Sequence, residues 1–227
     1  SFESSREHYP EPEKVLLTGT PVREEFLFAK RQEARQALGL GEEPLVVSCW
    51  GSLGAREMNK KIAQFMKCEC EENTPFHHIH ATGSFGWRWM PEYVKELGVD
   101  LAAHPRIDMR EYIYDMPQVL AAADLIVCRA GAATIAEVCA SGTPCIMVPS
   151  PNVTGNHQEK NARVLERSGA AAVVREADCD GKSLYETAKA ILSDAGRMRA
   201  MRASARDMAV VDAAERIYQT ALDLAKH

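Results

Sequence analysis

The sequence predicts an α/β fold, a doubly wound parallel sheet of Rossmann-like type. Three observations carry this expectation. Segments 45–50 (LVVSCW), 124–128 (DLIVC) and 145–148 (CIMV) are apolar almost throughout, without the alternation of a half-exposed strand. Each runs into a turn rich in Gly, Pro or Ser and then into a helix-length segment. The 227 residues are 46% hydrophobic and 26% charged, which supplies a real core and excludes a disordered chain.

The elements follow in order. Residues 1–13 are polar, carry Pro10 and Pro12, and read as a connection. Val15, Leu16 and Leu17 read as a short first strand, and 22–38 as a helix stopped by Gly39 and Gly41. Strand 45–50 turns at Gly51-Ser52-Leu53-Gly54 into a helix over 55–70. A strand at 76–82 and a helix at 87–97 come next, then a short strand near 107–110 leading to the segment 112–117, YIYDMP. Strand 124–128 passes the Gly131 turn into a helix over 133–141, and Gly142-Thr143-Pro144 turns into strand 145–148. Residues 156–167 read as a helix that Asn156 could cap, 171–174 as a strand, and the remainder as helical. No internal repeat or low-complexity stretch interrupts this order.

Charge and cysteine usage narrow the function. With 27 Lys+Arg against 32 Asp+Glu the net charge is −5, which argues against a nucleic-acid partner, since phosphate backbones demand clustered cations. No apolar run approaches the ~20 residues that span a bilayer, and the polar, acidic start is unlike a signal peptide. The seven cysteines are odd in number and several lie inside apolar runs, so reduced thiols are expected. Cys68 and Cys70 form a CxC without a second metal half-site, and no metal is expected there. His77, His78 and His80 alternate, with His78 and His80 on one strand face; a polar strand is favoured over a ligand set.

In a doubly wound sheet, ligands sit at the carboxyl ends of the strands. Gly51-Ser52-Leu53-Gly54 opens a helix whose free N–H groups suit a phosphate, although a steric need for glycine explains the same turn. Arg129-Ala130-Gly131 opens a second helix through small residues, and Glu137 on it could accept both hydroxyls of a sugar diol; balancing the helix dipole is the competing role. Arg23 offers a fork to a diphosphate, or is simply solvated. The amides of residues 156–161 (NHQEKN) could bind hydroxyls or carbonyls. Together these supply what a nucleotide diphosphate sugar needs.

Residues 18–23 (TGTPVR), 51–59 (GSLGAREMN), 112–117 (YIYDMP), 121–137 (AAADLIVCRAGAATIAE) and 156–161 (NHQEKN), in this order, resemble the C-terminal half of the bacterial MurG-type N-acetylglucosaminyltransferases, which convert lipid I to lipid II. The resemblance covers nearly the whole chain. It implies the C-terminal half of a GT-B glycosyltransferase, in three parts: an interdomain connection at 1–13, a nucleotide-sugar-binding domain at 14–211, and a last helix at 212–227 packing on an N-terminal domain. That last helix is expected to leave part of its apolar face exposed. The chain is expected to be an excised or separate C-terminal domain.

The resemblance also implies roles. Arg23 and Ser52 would contact the donor diphosphate, and the main chain at Ile113 the uracil. Ala132, Ala133, Thr134, Ile135, Ala136 and Glu137 would form the turn over phosphates and sugar, with Glu137 on the ribose. Gln158, with Asn161 beside it, would contact the GlcNAc hydroxyls. No catalytic residue, cofactor or metal is expected in this chain; the general base and the lipid I acceptor site belong to the N-terminal half. The parent enzyme would be peripheral on the cytoplasmic face of the inner membrane. The donor is expected to bind here weakly, without turnover. Two positions depart from the family: Thr20 replaces Asn, and Trp50 occupies the place of a second glycine. The alternatives are a diacylglycerol glycosyltransferase, a UDP-GlcNAc epimerase of the same fold, or the nucleotide-sugar subunit of a two-component transferase. A structural module that binds no sugar would show no nucleotide effect on melting.

Overall fold

The computed structural model describes residue 6 and residues 9–226. Part of the 1–13 connection therefore lies outside the described residues. Six parallel strands form one sheet: β1 (Leu45–Cys49), β2 (His77–Ala81), β3 (Ile107–Arg110), β4 (Leu125–Cys128), β5 (Cys145–Met147) and β6 (Ala171–Val173). Their order is β3-β2-β1-β4-β5-β6. The direction of winding reverses between β1 and β4, where Val46 pairs with Leu125 and Cys49 with Cys128. Crossovers leaving β1 and β4 move away from each other, which leaves a crevice at the strand tips.

The helices cover both faces, as the unbroken apolar strands require. Alternate residues serve opposite sides: Val47, Ile126 and Cys128 pack into one core, while Val46, Leu125, Val127 and Ile146 pack into the other. The first core lies under α1 (Glu25–Phe28), α2 (Arg31–Ala37), α6 (Met116–Ala122), α7 (Ala132–Ser141) and α8 (His157–Arg167). The second lies under α3 (Arg56–Glu72), α5 (Met90–Glu96) and α9 (Gly181–Leu192). Three further helices, α4 (Ser84–Trp87), α10 (Ala195–Asp207) and α11 (Ala213–Ala225), complete the described chain.

Three local expectations are corrected. Residues 15–17 are not a strand; Leu16 is 62% exposed, and Arg216 Nη1 donates to the Leu17 carbonyl at 3.4 Å. This segment lies along the C-terminal region, since a Cβ at Gly19 would run into Val210 and Ala213. The expected helix at 22–38 is two helices, because Ala29 and Lys30 are extended, with ψ of 126° and 129°. The break lets Phe26 on α1 and Ala34 on α2 both reach the core. The helix expected at 87–97 starts at Met90, after the separate turn of α4.

The histidine strand is polar, as expected, but its polarity is internal. His78 and His80 are fully buried on the α3 side of β2. Ser48 Oγ lies 2.7 Å from His78 Nε2 and 2.7 Å from His80 Nδ1, and His78 Nδ1 lies 2.9 Å from Glu69 Oε2 on α3. Burial, with His78 beside it, pushes the His80 imidazole well below its usual range, so it stays neutral.

The seven cysteines are free thiols. Burial raises Cys49, with help from the Glu137 carboxylate, to about 12, which makes it a packing group rather than a nucleophile. Among the described residues no cluster of three or more His, Cys, Asp or Glu could hold a metal ion. Among them too, no helix is long and apolar enough to cross a membrane.

Candidate nucleotide-sugar site

Two helices begin at the switch point. Helix α7 opens at Gly131, an extended N-cap without a side-chain cap. Its first intrahelical bond runs from Ile135 N to Gly131 O at 3.0 Å, so the N–H groups of Ala132, Ala133 and Thr134 have no helical acceptor. Helix α3 opens at Ala55 in the same way, with its first bond from Asn59 N to Ala55 O at 2.8 Å. Both helices point their positive ends at the tips of adjacent strands, which is the arrangement an anion prefers.

Residues 132–137 are therefore helix rather than turn; the turn is Arg129-Ala130-Gly131. Ile135 is buried at 4% exposure and its N–H is committed, so it contributes to the core and not to the crevice. Small residues at 130–133 follow from this geometry, because the backbone itself is the donor surface.

Glu137 lies one helical turn beyond Ala133 and is half-buried. Burial raises its carboxyl above the usual range, and Arg23 opposes the rise. It also acts electrostatically on the thiols of Cys49 and Cys128, so it stands over the tips of β1 and β4. It has no hydrogen bond or ion pair among the described residues. A half-buried carboxylate without a partner is costly, and a diol would satisfy it. Arg23 is exposed and stacks its guanidinium 5.4 Å from the Phe26 ring, near enough to act on the Glu137 carboxyl. It reaches this position from a coil, not from a strand end as expected.

The β1–α3 turn resolves its two readings by residue. Gly54 N donates to Gly51 O at 3.1 Å, closing the turn. A Cβ at Gly54 would run into the Thr82 carbonyl, and one at Gly83 into the Gly54 backbone. Ser84 N and Phe85 N donate to Ser52 O and Leu53 O at 3.1 and 3.3 Å, so this loop is laced to the β2–α4 loop. Asn59 Nδ2 adds a bond to Thr82 O at 2.7 Å. Gly54 is thus required by packing. Gly51, at φ +82°, has open space where a Cβ would be, and it precedes the exposed Ser52.

Trp50 packs beneath the site, not in it. It is 4% exposed in the α3-side core, and Arg129 stacks 5.6 Å from its ring. Arg129 also donates to Val148 O at 3.0 Å and pairs with Glu176 at 2.7 Å. The indole thus occupies core volume below the turn while its neighbour ties β4, β5 and the segment after β6 together.

Gln158 and Asn161 are partly committed. Gln158 Oε1 accepts from Ser150 N at 2.9 Å, which leaves its amide donors for a ligand. Asn161 Nδ2 donates to Ala130 O at 3.2 Å and so clamps α8 to the turn before α7. Asn156 sits at the N-cap of α8 in the left-handed region, φ 52°, without capping; its amide donates to Glu159 at 2.8 Å instead. Ile113 is buried at 2% exposure, with Tyr112 and Tyr114 exposed on either side and their rings 5.0 Å apart. The structure brings Arg23 and Glu137 within electrostatic reach. It places Ser52, the α7 N–H groups and Gln158 after β1, β4 and β5 of one sheet, and Ile113 after β3. Sequence reasoning missed Asn59 and Arg129 as supports of the turns. Their signal was present, an amide inside the 51–59 motif and an Arg opening the 129–137 motif, but their partners are remote in sequence.

This fold and this crevice define a Rossmann-like domain of the GT-B glycosyltransferase class. Residues 45–217 match the family model described as the glycosyltransferase family 28 C-terminal domain, and the chain belongs to that family. It is 39% identical, over 100% of its own length and 60% of the relative's, to the UDP-N-acetylglucosamine--N-acetylmuramyl-(pentapeptide) pyrophosphoryl-undecaprenol N-acetylglucosamine transferase of Acetivibrio thermocellus. It is 41% identical to the protein of that name from Caldanaerobacter subterraneus, over 96% of this chain and 59% of the relative. The chain thus spans about 60% of the length of these curated relatives. The crystal structure of MurG from Acinetobacter baumannii superposes with a TM-score of 0.69 at 25% identity, covering 88% of this chain and 56% of that one. A putative UDP-N-acetylglucosamine 2-epimerase from Listeria monocytogenes shares the fold at TM-score 0.57 and 17% identity, covering 80% of this chain and 45% of that one.

Proposed function

We propose that this chain is the donor-binding half of an inverting N-acetylglucosaminyltransferase that converts lipid I to lipid II in peptidoglycan synthesis. The reading rests most directly on Glu137, an unpartnered, half-buried carboxylate at the switch point between two open helix N-termini. UDP-GlcNAc would lie across β1 and β4. The ribose hydroxyls donate to Glu137, and the diphosphate sits against the N–H groups of Ala132, Ala133 and Thr134 with Ser52 and Arg23 beside it. The Ile113 backbone reads the uracil edge, and the Gln158 amide donates to the sugar.

The chemistry of these residues is leaving-group stabilisation. As the acceptor hydroxyl attacks the anomeric carbon, negative charge grows on the UDP phosphate oxygens. Fixed N–H dipoles and the Arg23 guanidinium stabilise that charge without reorganising, the effect that contributes most in many enzymes. The attacking hydroxyl, its general base and the lipid I site are assigned to the portion of the relatives that this chain does not match. The exposed apolar residues of α11, Ile217, Tyr218, Leu222 and Leu224, would pack on that portion, and the whole enzyme would work at the cytoplasmic membrane face. The transferase reading is favoured over the epimerase because the relatives at about 40% identity are transferases by name, whereas the epimerase likeness is one of fold.

Isothermal titration of the 227-residue chain with UDP-GlcNAc tests the reading. Binding that weakens in Glu137→Ala and Arg23→Ala supports it; identical heats in wild type and Glu137→Ala would remove the ribose contact.

A further inference from the structure

A second charged cavity lies at the opposite end of the sheet. Asp124 immediately precedes β4, at the amino end of the strand, whereas the crevice lies beyond its carboxyl end. Strand β4 has four residues, so the two places are separated by at least ~13 Å at 3.3 Å per residue. The cavity, of about 310 Å³, is lined by Arg31, Arg199 and Arg202 with Asp124, against apolar walls that include Pro44 and Met198.

The charges do not balance. Asp124 is the single carboxylate of the lining and is already shared. Its Oδ1 takes Arg31 Nη2 at 2.6 Å, and its Oδ2 takes Arg35 Nη1 at 3.2 Å and the Leu45 N–H at 3.0 Å. Arg202 reaches Oδ1 only at 3.9 Å and otherwise donates to the carbonyls of Gly142 and Ala123 at 3.3 Å each. Arg199 is exposed and has no hydrogen bond or ion pair among the described residues. Three guanidiniums, of Arg31, Arg35 and Arg202, therefore share one carboxylate, and Arg199 adds a fourth positive charge to the same cavity, in a chain whose net charge is −5.

Neither neighbouring acid, Asp194 nor Glu43, lines the cavity. Asp194 Oδ1 caps α10 by accepting from Arg197 N at 2.8 Å, and the Glu43 carboxylate lies beside Gly41. The spacing of Arg199, Arg202 and Arg206 puts them on one face of α10. Burial, together with Arg31 and Arg206, pushes the Arg202 guanidinium below its usual value, with Asp124 opposing.

We propose that this cavity is an anion site for a phosphate-class ligand, a phosphomonoester or pyrophosphate group held by Arg31, Arg199 and Arg202. Guanidinium forks match the oxygens of such a group, and two negative charges would offset most of the local cation excess. The group could be carried by a free metabolite or by a lipid headgroup, and the chemistry of recognition is the same.

The test is calorimetric titration of the 227-residue chain with inorganic pyrophosphate at constant ionic strength, in wild type, Arg199→Gln and Arg199→Lys. Arg199 is exposed and unpartnered, so both variants keep the wild-type melting temperature without anion. Affinity at least ~5-fold weaker in Arg199→Gln, largely restored in Arg199→Lys, supports the site. Pyrophosphate bound at the donor crevice would be indifferent to Arg199, so equal affinity in wild type and Arg199→Gln overturns the proposal. Cosedimentation with vesicles containing phosphatidic acid, whose headgroup is a phosphomonoester, against phosphatidylcholine alone, separates the sources: binding lost in Arg199→Gln assigns a lipid headgroup, and Arg199-dependent pyrophosphate binding without it a soluble anion. A tungstate-soaked crystal locates the site, and the absence of an anomalous peak among the three arginines overturns it as well.

Discussion

Glu137→Gln separates the two halves of the functional argument. The wild-type carboxylate is half-buried and has no hydrogen-bond partner, and burial holds its pKa above the ordinary range despite Arg23. The native state therefore keeps the proton at pH values where the unfolded chain has released it. Across that window the native state loses stability as pH rises, and above the raised value the full penalty applies. Glutamine removes the charge and keeps the shape. Because the group retains solvent access, the gain is set at about 0.5–1 kcal/mol at pH 7, or roughly 1–4 °C in Tm for a chain of this size. At pH 4, where the carboxyl is protonated, the two proteins should melt together. Ligand binding moves the other way: glutamine has one acceptor oxygen instead of two, and a charge-assisted bond contributes about 1.5–3 kcal/mol, so UDP should bind roughly 10–100-fold more weakly. Scanning fluorimetry across pH 4–8 and calorimetry with UDP give both readouts. A Tm difference that is the same at pH 4 and pH 7 would refute the unpaired carboxylate; unchanged UDP affinity would refute its role.

The remaining predictions concern what supports the site. Gly54→Ala should cost at least ~2–3 kcal/mol, because its Cβ meets the Thr82 carbonyl in a residue at φ +78°, whereas Gly51→Ala, with open space, should cost about 1–2 kcal/mol; urea denaturation ranks them. Trp50→Gly should lose at least ~3 kcal/mol, while Trp50→Phe should cost less than ~2 kcal/mol, because the indole N–H it removes is buried without a partner. Wild-type Tm should fall as pH drops below the ordinary histidine value of 6.5, since the unfolded chain takes up a proton that buried His80 refuses, and His80→Gln should flatten that slope. Asn161→Ala should weaken UDP binding by loosening the turn before α7, with a smaller effect on Tm than Gly54→Ala; UDP affinity equal to wild type would show that the clamp on Ala130 does not position the donor surface.

Much of the site was legible because its logic is local. A βα turn places its glycine, its small residues and its first helical N–H groups within a few residues of one another. Hence residues 51–55 and 129–134 could be read as two strand-to-helix turns with free N–H groups, while the choice between a steric turn and an anion-facing one stayed open. Glu137 was legible as a carboxylate early on the helix, but its lack of a partner was not, since that depends on everything packed around it. Gln158 and Asn161 show the same limit: their amides were visible, yet the acceptors and donors they meet, at Ala130 and Ser150, come from other loops.

By itself the sequence determined the class of fold, since unbroken apolar strands can be buried on both faces only in a helix-covered parallel sheet. It also determined the strand ends that carry the crevice. Tertiary structure alone decided that 15–17 joins no sheet, that the helix after it breaks at Ala29, that Trp50 lies under the turn, and that three arginines converge on Asp124 beside a cavity that Arg199 also lines. Each of these depends on which distant groups share a volume or a charge, and hydrophobic periodicity encodes neither.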